Sequence, residues 1–122
     1  MYILKIYLGN IAGDGPILRD LTVSFGIIEP LLALANDANQ TNSFMRNVTW
    51  TISNLCRNKN PSPSFDVVRA LLPNLHKLTQ HGDAEVLGKL WFIKGQDYNW
   101  GGGRFFVIPN INLTRDILYL LS

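Results

Sequence analysis

An all-α solenoid of stacked helical repeats is the fold class this sequence predicts, and three observations predict it. The first is self-similarity. Leu8-Gly9-Asn10-Ile11-Ala12 matches Ile52-Ser53-Asn54-Leu55-Cys56 in pattern, with Asn10 and Asn54 44 residues apart. Ile28-Glu29-Pro30-Leu31-Leu32 matches Leu71-Leu72-Pro73-Asn74-Leu75 with the prolines 43 apart, and Trp50 recurs as Trp91 after 41 residues. Three pairs in one order agree on one period, and helical solenoids of the HEAT and armadillo type repeat about every 40–47 residues. The second observation is helical spacing of apolar residues between clear breakers. The third is composition: 122 residues at 47% apolar and 16% charged make one domain or less, with enough apolar material for a packed core.

Each element has its own signals. Residues 2–12 predict a helix stopped by Gly13-Asp14-Gly15-Pro16. Pro16 suits the first turn of the next helix, where Leu18, Leu21 and Phe25 fall at helical spacing and Gly26 ends it. Residues 27–35 predict another helix. Asn36 to Asn42 is a polar loop, and Asn42 or Ser43 is the expected cap of a helix over 43–57 with Phe44, Val48, Ile52 and Leu55 inward. After the proline-bearing loop Asn58 to Pro63, Ser64 caps a helix over about 65–80. Asp83 then caps another from about 84 to 94. Beyond this the period fails. Gly101-Gly102-Gly103 is expected to be a linker, and Phe105 to Ser122 allows a strand followed by a helix from about 113. Residues 1–94 are therefore expected to form repeats, and 95–122 a divergent tail.

A net charge of +2 argues against a polybasic arm for nucleic acid or membrane. The single cysteine, Cys56, excludes an internal disulfide framework and a Cys-based zinc site. No apolar run approaches the roughly 18–20 residues of a membrane span. The N-terminus has no basic region ahead of a long apolar core, so a secretory signal is not expected. No cofactor or metal is called for, and no catalytic constellation is present. His76 and His81 have no carboxylate at a useful spacing, and Cys56 is expected to be an inert thiol despite its neighbour Arg57.

The sharper signal is a stripe. Arg46, Trp50, Asn54 and Arg57 are spaced 4, 4 and 3 and share one helix face, apart from Val48, Ile52 and Leu55. An indole face can hold the stem of a lysine or arginine and attract its charge. An Asn carboxamide one turn away can both donate to and accept from an extended peptide backbone. Asn10 and Asn54 would then be successive rungs of a peptide ladder, with Asp14 placed to pair with a lysine ammonium.

These residues also carry a family resemblance. Leu8-Gly-Asn-Ile-Ala-Gly-Asp-Gly-Pro16, Arg19-Asp20-Leu21, Pro30-Leu-Leu-Ala-Leu34, Arg46 to Pro61 and Glu85-Val-Leu87 closely resemble importin alpha over about residues 8–87. The resemblance implies a right-handed armadillo-repeat solenoid fragment of about two repeats: the end of the third, the whole fourth and the start of the fifth. It implies a non-enzymatic nuclear import adaptor, found in cytoplasm and nucleus, that binds basic nuclear localisation signals of cargo. The implied peptide-binding residues are Asn10, Asp14, Trp50, Asn54, Arg57 and Glu85. Importin beta is a partner in the full-length family, through a basic arm that this sequence lacks.

Departures from the family pattern carry their own expectations. Ile6 stands where the family has a Trp. Gly88-Lys89-Leu90-Trp91 is about one residue short and puts Lys89 where acid is expected, so Lys89 should repel a basic ligand and Trp91 should turn from the groove. The rival expectations are an armadillo scaffold for some other extended partner, a truncated product without function of its own, and a small enzyme using His76, His81 or Cys56.

Overall fold

The computed structural model describes residues 10–57, 60–94, 96–100, 103–108 and 117–121. Residues 10–12 are helical and end in a turn at 13–14. Five helices follow: α1 Pro16–Ser24, α2 Ile28–Ala35, α3 Asn42–Leu55, α4 Phe65–Leu78 and α5 Ala84–Lys94. Three strands follow these: β1 Asp97–Trp100, β2 Gly103–Ile108 and β3 Ile117–Leu121. The helical body is the solenoid that the period predicts. The predicted helix over 2–9 lies outside the described residues.

The helix ends have local causes. Pro16 sits in the first turn of α1, and Gly26 follows its end at φ 81°, a left-handed conformation that glycine adopts without steric cost. The cap of α3 is Thr41 and not Asn42 or Ser43. Thr41 has extended backbone and its hydroxyl accepts from the Phe44 amide at 3.1 Å, whereas Asn42 is already helical. Ser64 accepts from the Val67 amide at 3.3 Å and Asp83 from the Val86 amide at 3.2 Å, so both cap as predicted.

The two repeats differ at one joint. Gly26, four residues before Pro30, separates α1 from α2. The position four before Pro73 is Arg69, and there α4 runs unbroken through the proline. Without a glycine the same segment stays one helix. Pro73 removes one intrahelical N–H, which packing of the buried Leu71, Leu72 and Leu75 offsets.

Helix α3 touches all four other helices and forms the centre of the core. Ile52 and Leu55 of α3, Val68, Leu71 and Leu75 of α4, and Val86 and Ile93 of α5 are fully buried. Thr49, Thr51, Ser53 and Asn54 are buried with them. The two threonines avoid a desolvation penalty by donating to their own helix, to the Met45 carbonyl at 2.7 Å and the Asn47 carbonyl at 3.0 Å.

Helix α1 turns its apolar stripe outward. Leu18, Leu21 and Phe25 share an exposed apolar face with Ile17, which is 82% exposed, while Arg19 and Thr22 are buried. Arg19 turns inward because the segment that follows α3 offers it carbonyls. Its guanidinium donates to the Arg57 carbonyl at 3.1 Å and the Pro61 carbonyl at 3.0 Å, and pairs with Asp20 at 2.9 Å. A cation at a helix C-terminus also suits the helix dipole. In a stacked solenoid, the outward apolar face is the one a neighbouring repeat covers.

The tail docks on the α3–α4 connection. Tyr98 is buried and its hydroxyl donates to the Cys56 carbonyl at 2.5 Å. The Asn99 amide donates to Ser62 Oγ at 3.2 Å, and the Trp100 indole N–H donates to the Pro63 carbonyl at 2.7 Å. The Tyr98 and Trp100 rings stack with centroids 4.9 Å apart, and Trp100 meets Phe65 edge-on at 5.2 Å. The sheet is antiparallel in the order β1-β2-β3, pairing Tyr98 with Phe105 and Phe106 with Tyr119. Over 117–121 the chain is strand, not the helix expected from about 113. A short apolar run does not distinguish the two by periodicity, and pairing with β2 decides it.

The energetics of Arg19 are testable. Arg19→Ala leaves two carbonyls without their charged donor and should lower stability by about 2–3 kcal/mol. Asp20→Ala should cost less than about 1 kcal/mol, because its carboxylate is 56% exposed and well solvated. Urea titration of both variants checks the order; equal losses would contradict it.

Candidate functional site

An open cleft of about 500 Å³ lies between α3 and α5, lined by Trp50, Ala84, Glu85, Gly88 and Lys89. Trp50 is half-buried, so its indole is anchored by the core yet reaches the cleft. Two cations meet its ring. Lys89 Nζ lies 4.4 Å from the ring centroid, and the Arg57 guanidinium carbon lies 5.5 Å from it. Both fall inside the roughly 6 Å range of cation–π attraction.

The stripe on α3 splits into different roles. Arg46 is a clamp between helices: Nε donates to Asp83 Oδ2 at 2.9 Å and Nη2 to Oδ1 at 2.8 Å, with Glu85 3.5 Å away. This two-point pairing ties α3 to the first turn of α5. The Arg46 hydrogen bond, helped by the first backbone amides of α5, holds the Asp83 carboxyl down at about 2, below its ordinary 3.8. Glu85, one turn before Lys89, brings an exposed carboxylate to the same cleft.

Asn54 lies on α3 with Trp50, as the spacing predicts, but it is covered. A carboxamide offered to a ligand should be accessible, but Asn54 is 1% exposed. The turn at Gly13 covers it so closely that a Cβ on Gly13 would lie 2.9 Å from Asn54 Nδ2. Close approach, rather than backbone conformation, is what calls for glycine at this position. The next residue, Asp14, is exposed at the turn, with its amide donating to the Ile11 carbonyl at 3.0 Å. Asn10 is exposed on the last helical turn before it. The structure therefore brings the turn at Gly13 onto Asn54, one turn of α3 from Trp50. Lys89 on the Trp50 ring is a contact that sequence reasoning missed, since the pairing is between helices. Ile6 and the Trp91 side chain lie outside the described residues.

Cys56 is fully buried and desolvation pushes its thiol up to about 12, against a weaker opposing influence from Arg19. It is therefore a poor nucleophile at neutral pH. His81 Nδ1 accepts from the Asp83 amide at 3.1 Å, a turn interaction. Neither histidine nor Cys56 lines the cleft. Among the described residues, no cluster of His, Cys, Asp or Glu is arranged to hold a metal, and no helix is long and apolar enough to cross a membrane.

Comparison with known proteins bears on this geometry. No family model matches the chain. Importin subunit alpha-2 of Arabidopsis thaliana is 50% identical over 80 residues, which cover 66% of this chain and 15% of that protein. Importin subunit alpha-3 of Caenorhabditis elegans is 51% identical over 75 residues, covering 62% of this chain and 14% of that protein. Importin subunit alpha-1 of Schizosaccharomyces pombe is 46% identical over 79 residues, covering 64% and 14%. The chain thus spans about 15% of the length of the curated relatives it matches. Over about two thirds of its length it is homologous to importin subunit alpha, and its helical body is an armadillo-repeat segment.

The Arg46–Asp83 pair predicts a pH dependence. Because the folded-state carboxyl is depressed, its stabilisation is complete above about 3.8 and is lost as pH falls toward about 2. Urea midpoints at neutral pH and near the lower value should differ more in the wild type than in Arg46→Ala. An equal acid sensitivity in both would contradict this assignment.

Proposed function

We propose that this chain, homologous to part of importin alpha, binds lysine-rich extended peptides of the nuclear localisation type along the α3–α5 cleft. It acts as a binding module rather than a catalyst. The observation that carries this reading is the Trp50 ring, which already holds an ammonium group at 4.4 Å in an open cleft. A ring that attracts Lys89 also attracts a ligand lysine, and the aliphatic stem can lie on the indole while the charge reaches solvent. Glu85 in the cleft and Asp14 on the turn supply negative charge at two points along the path. Gly13 packs closely against Asn54, and Asp14 is the next residue on that turn, which supports a role for its carboxylate beside α3. Such cargo would connect the protein with both cytoplasm and nucleus.

A second reading is an armadillo scaffold for a different extended partner. Burial of Asn54 and the presence of Lys89 on Trp50 favour it.

Fluorescence anisotropy of a labelled lysine-rich localisation peptide separates the two. The peptide-binding reading predicts saturable binding that weakens with salt. Asp14→Lys turns an exposed attraction into repulsion and should weaken binding about five- to ten-fold. Trp50→Ala removes an aromatic anchor and should weaken it about 30-fold or more. Preference of the folded chain for acidic peptides, or indifference to Asp14→Lys, would favour the scaffold reading.

A further inference from the structure

Lys89 is the side chain in the cleft that the peptide-binding reading does not use. It sits on α5 one turn after Glu85 and faces α3 across the cleft. Its ammonium is closer to the Trp50 centroid than the Arg57 guanidinium is, 4.4 Å against 5.5 Å. The interaction is strongest for a cation close over the ring face, so Lys89 holds the better position.

We propose that Lys89 is a built-in competitor: it occupies the lysine slot on Trp50, and a ligand lysine must displace it to bind. This deepens the peptide-binding reading and rests on it. Two effects oppose the ligand. The Lys89–Trp50 contact must be given up, and the displaced ammonium stays nearby as a like charge. Glu85 pairs with Arg46 Nε at 3.5 Å, but its side chain is 67% exposed and can also take the displaced ammonium, since the two lie one turn apart on α5 at a spacing where Glu precedes Lys favourably. Displacement is therefore a switch of partners rather than the stranding of a charge. The same geometry makes Lys89 a regulatory position. Transfer of an acyl group from an acyl thioester to its neutral ε-amine, with the C–S bond breaking as the amide C–N bond forms and the amine proton leaving with the thiol, would remove the charge and free the ring, while leaving the main chain of α5 unchanged.

The test combines a binding and a structural readout on the whole chain. A labelled lysine-rich peptide is titrated into wild type, Lys89→Gln and Lys89→Arg, and the Lys89 Hε resonances are followed by NMR. The Gln variant mimics the acylated side chain and should bind about two- to five-fold tighter than wild type, the gain corresponding to loss of an exposed cation–π contact. Lys89→Arg keeps a cation for the ring and should bind like wild type. In the free protein, the Lys89 Hε resonances should carry an upfield ring-current shift that Trp50→Ala abolishes and that saturating peptide removes. If wild type binds but Lys89→Gln binds no tighter, or the shift survives saturation, the competitor role is overturned while peptide binding stands. If neither wild type nor Lys89→Gln binds although the shift is present, the peptide-binding reading fails, and the competition with it.

Discussion

The structure depends on what happens at the C-terminal end of α3. A helix end leaves carbonyls without intrahelical donors, and burying them unpaired is costly. Helix α3 is the element that touches every other helix, so its end cannot be left to solvent. Two side chains from distant parts of the sequence meet this need. Arg19 from α1 reaches the Arg57 carbonyl, and Tyr98 from β1 reaches the Cys56 carbonyl. Both are buried. The first repeat and the tail are thus joined through the same helix end. The other end of α3 is tied differently, by the Thr41 cap and by Arg46 on Asp83.

The candidate site follows from that anchoring. Trp50 sits between the two fixed ends, on the face of α3 that looks toward α5. Its position is therefore set by the scaffold and not by a loop. The same anchoring explains why the polar stripe divides. Arg46 is committed to holding α5, Asn54 is covered by the turn at Gly13, and Trp50 remains half-buried at the cleft with cations near its ring. A groove assembled this way has one aromatic platform rather than a regular ladder among its described residues.

Much of the helical body was legible in the sequence because breakers, caps and the repeat period all act locally. Gly26, Ser64, Asp83 and the Gly13–Pro16 turn each mark an end through their own conformational chemistry. Orientation was less legible. The spacing of Leu18, Leu21 and Phe25 announces a helix but not which face packs, and Arg19 took the inside because carbonyls 38 and 42 residues away needed a donor. The strand allowed from Phe105 is present as β2, but its pairing with β1 and β3 was not legible for a related reason: strand pairing is a long-range fact. The signal present was the short sequence separation of Trp100 and Gly103, which pair as neighbours on antiparallel β1 and β2. Of the site, the identity of Trp50 was readable from its stripe. Burial of Asn54 was not, since it depends on how closely a turn from the preceding repeat approaches.

Native-state hydrogen exchange tests the central claim most directly. If α3 is the element on which both repeats and the tail converge, its amides from Val48 to Cys56 should exchange only through global unfolding, including those of the last turn, which would ordinarily fray. Their opening free energy should therefore equal that from urea titration, while α1 amides exchange more readily. Exchange of the last turn of α3 through local opening, well below the global value, would show that Arg19 and Tyr98 do not secure it and would contradict the account.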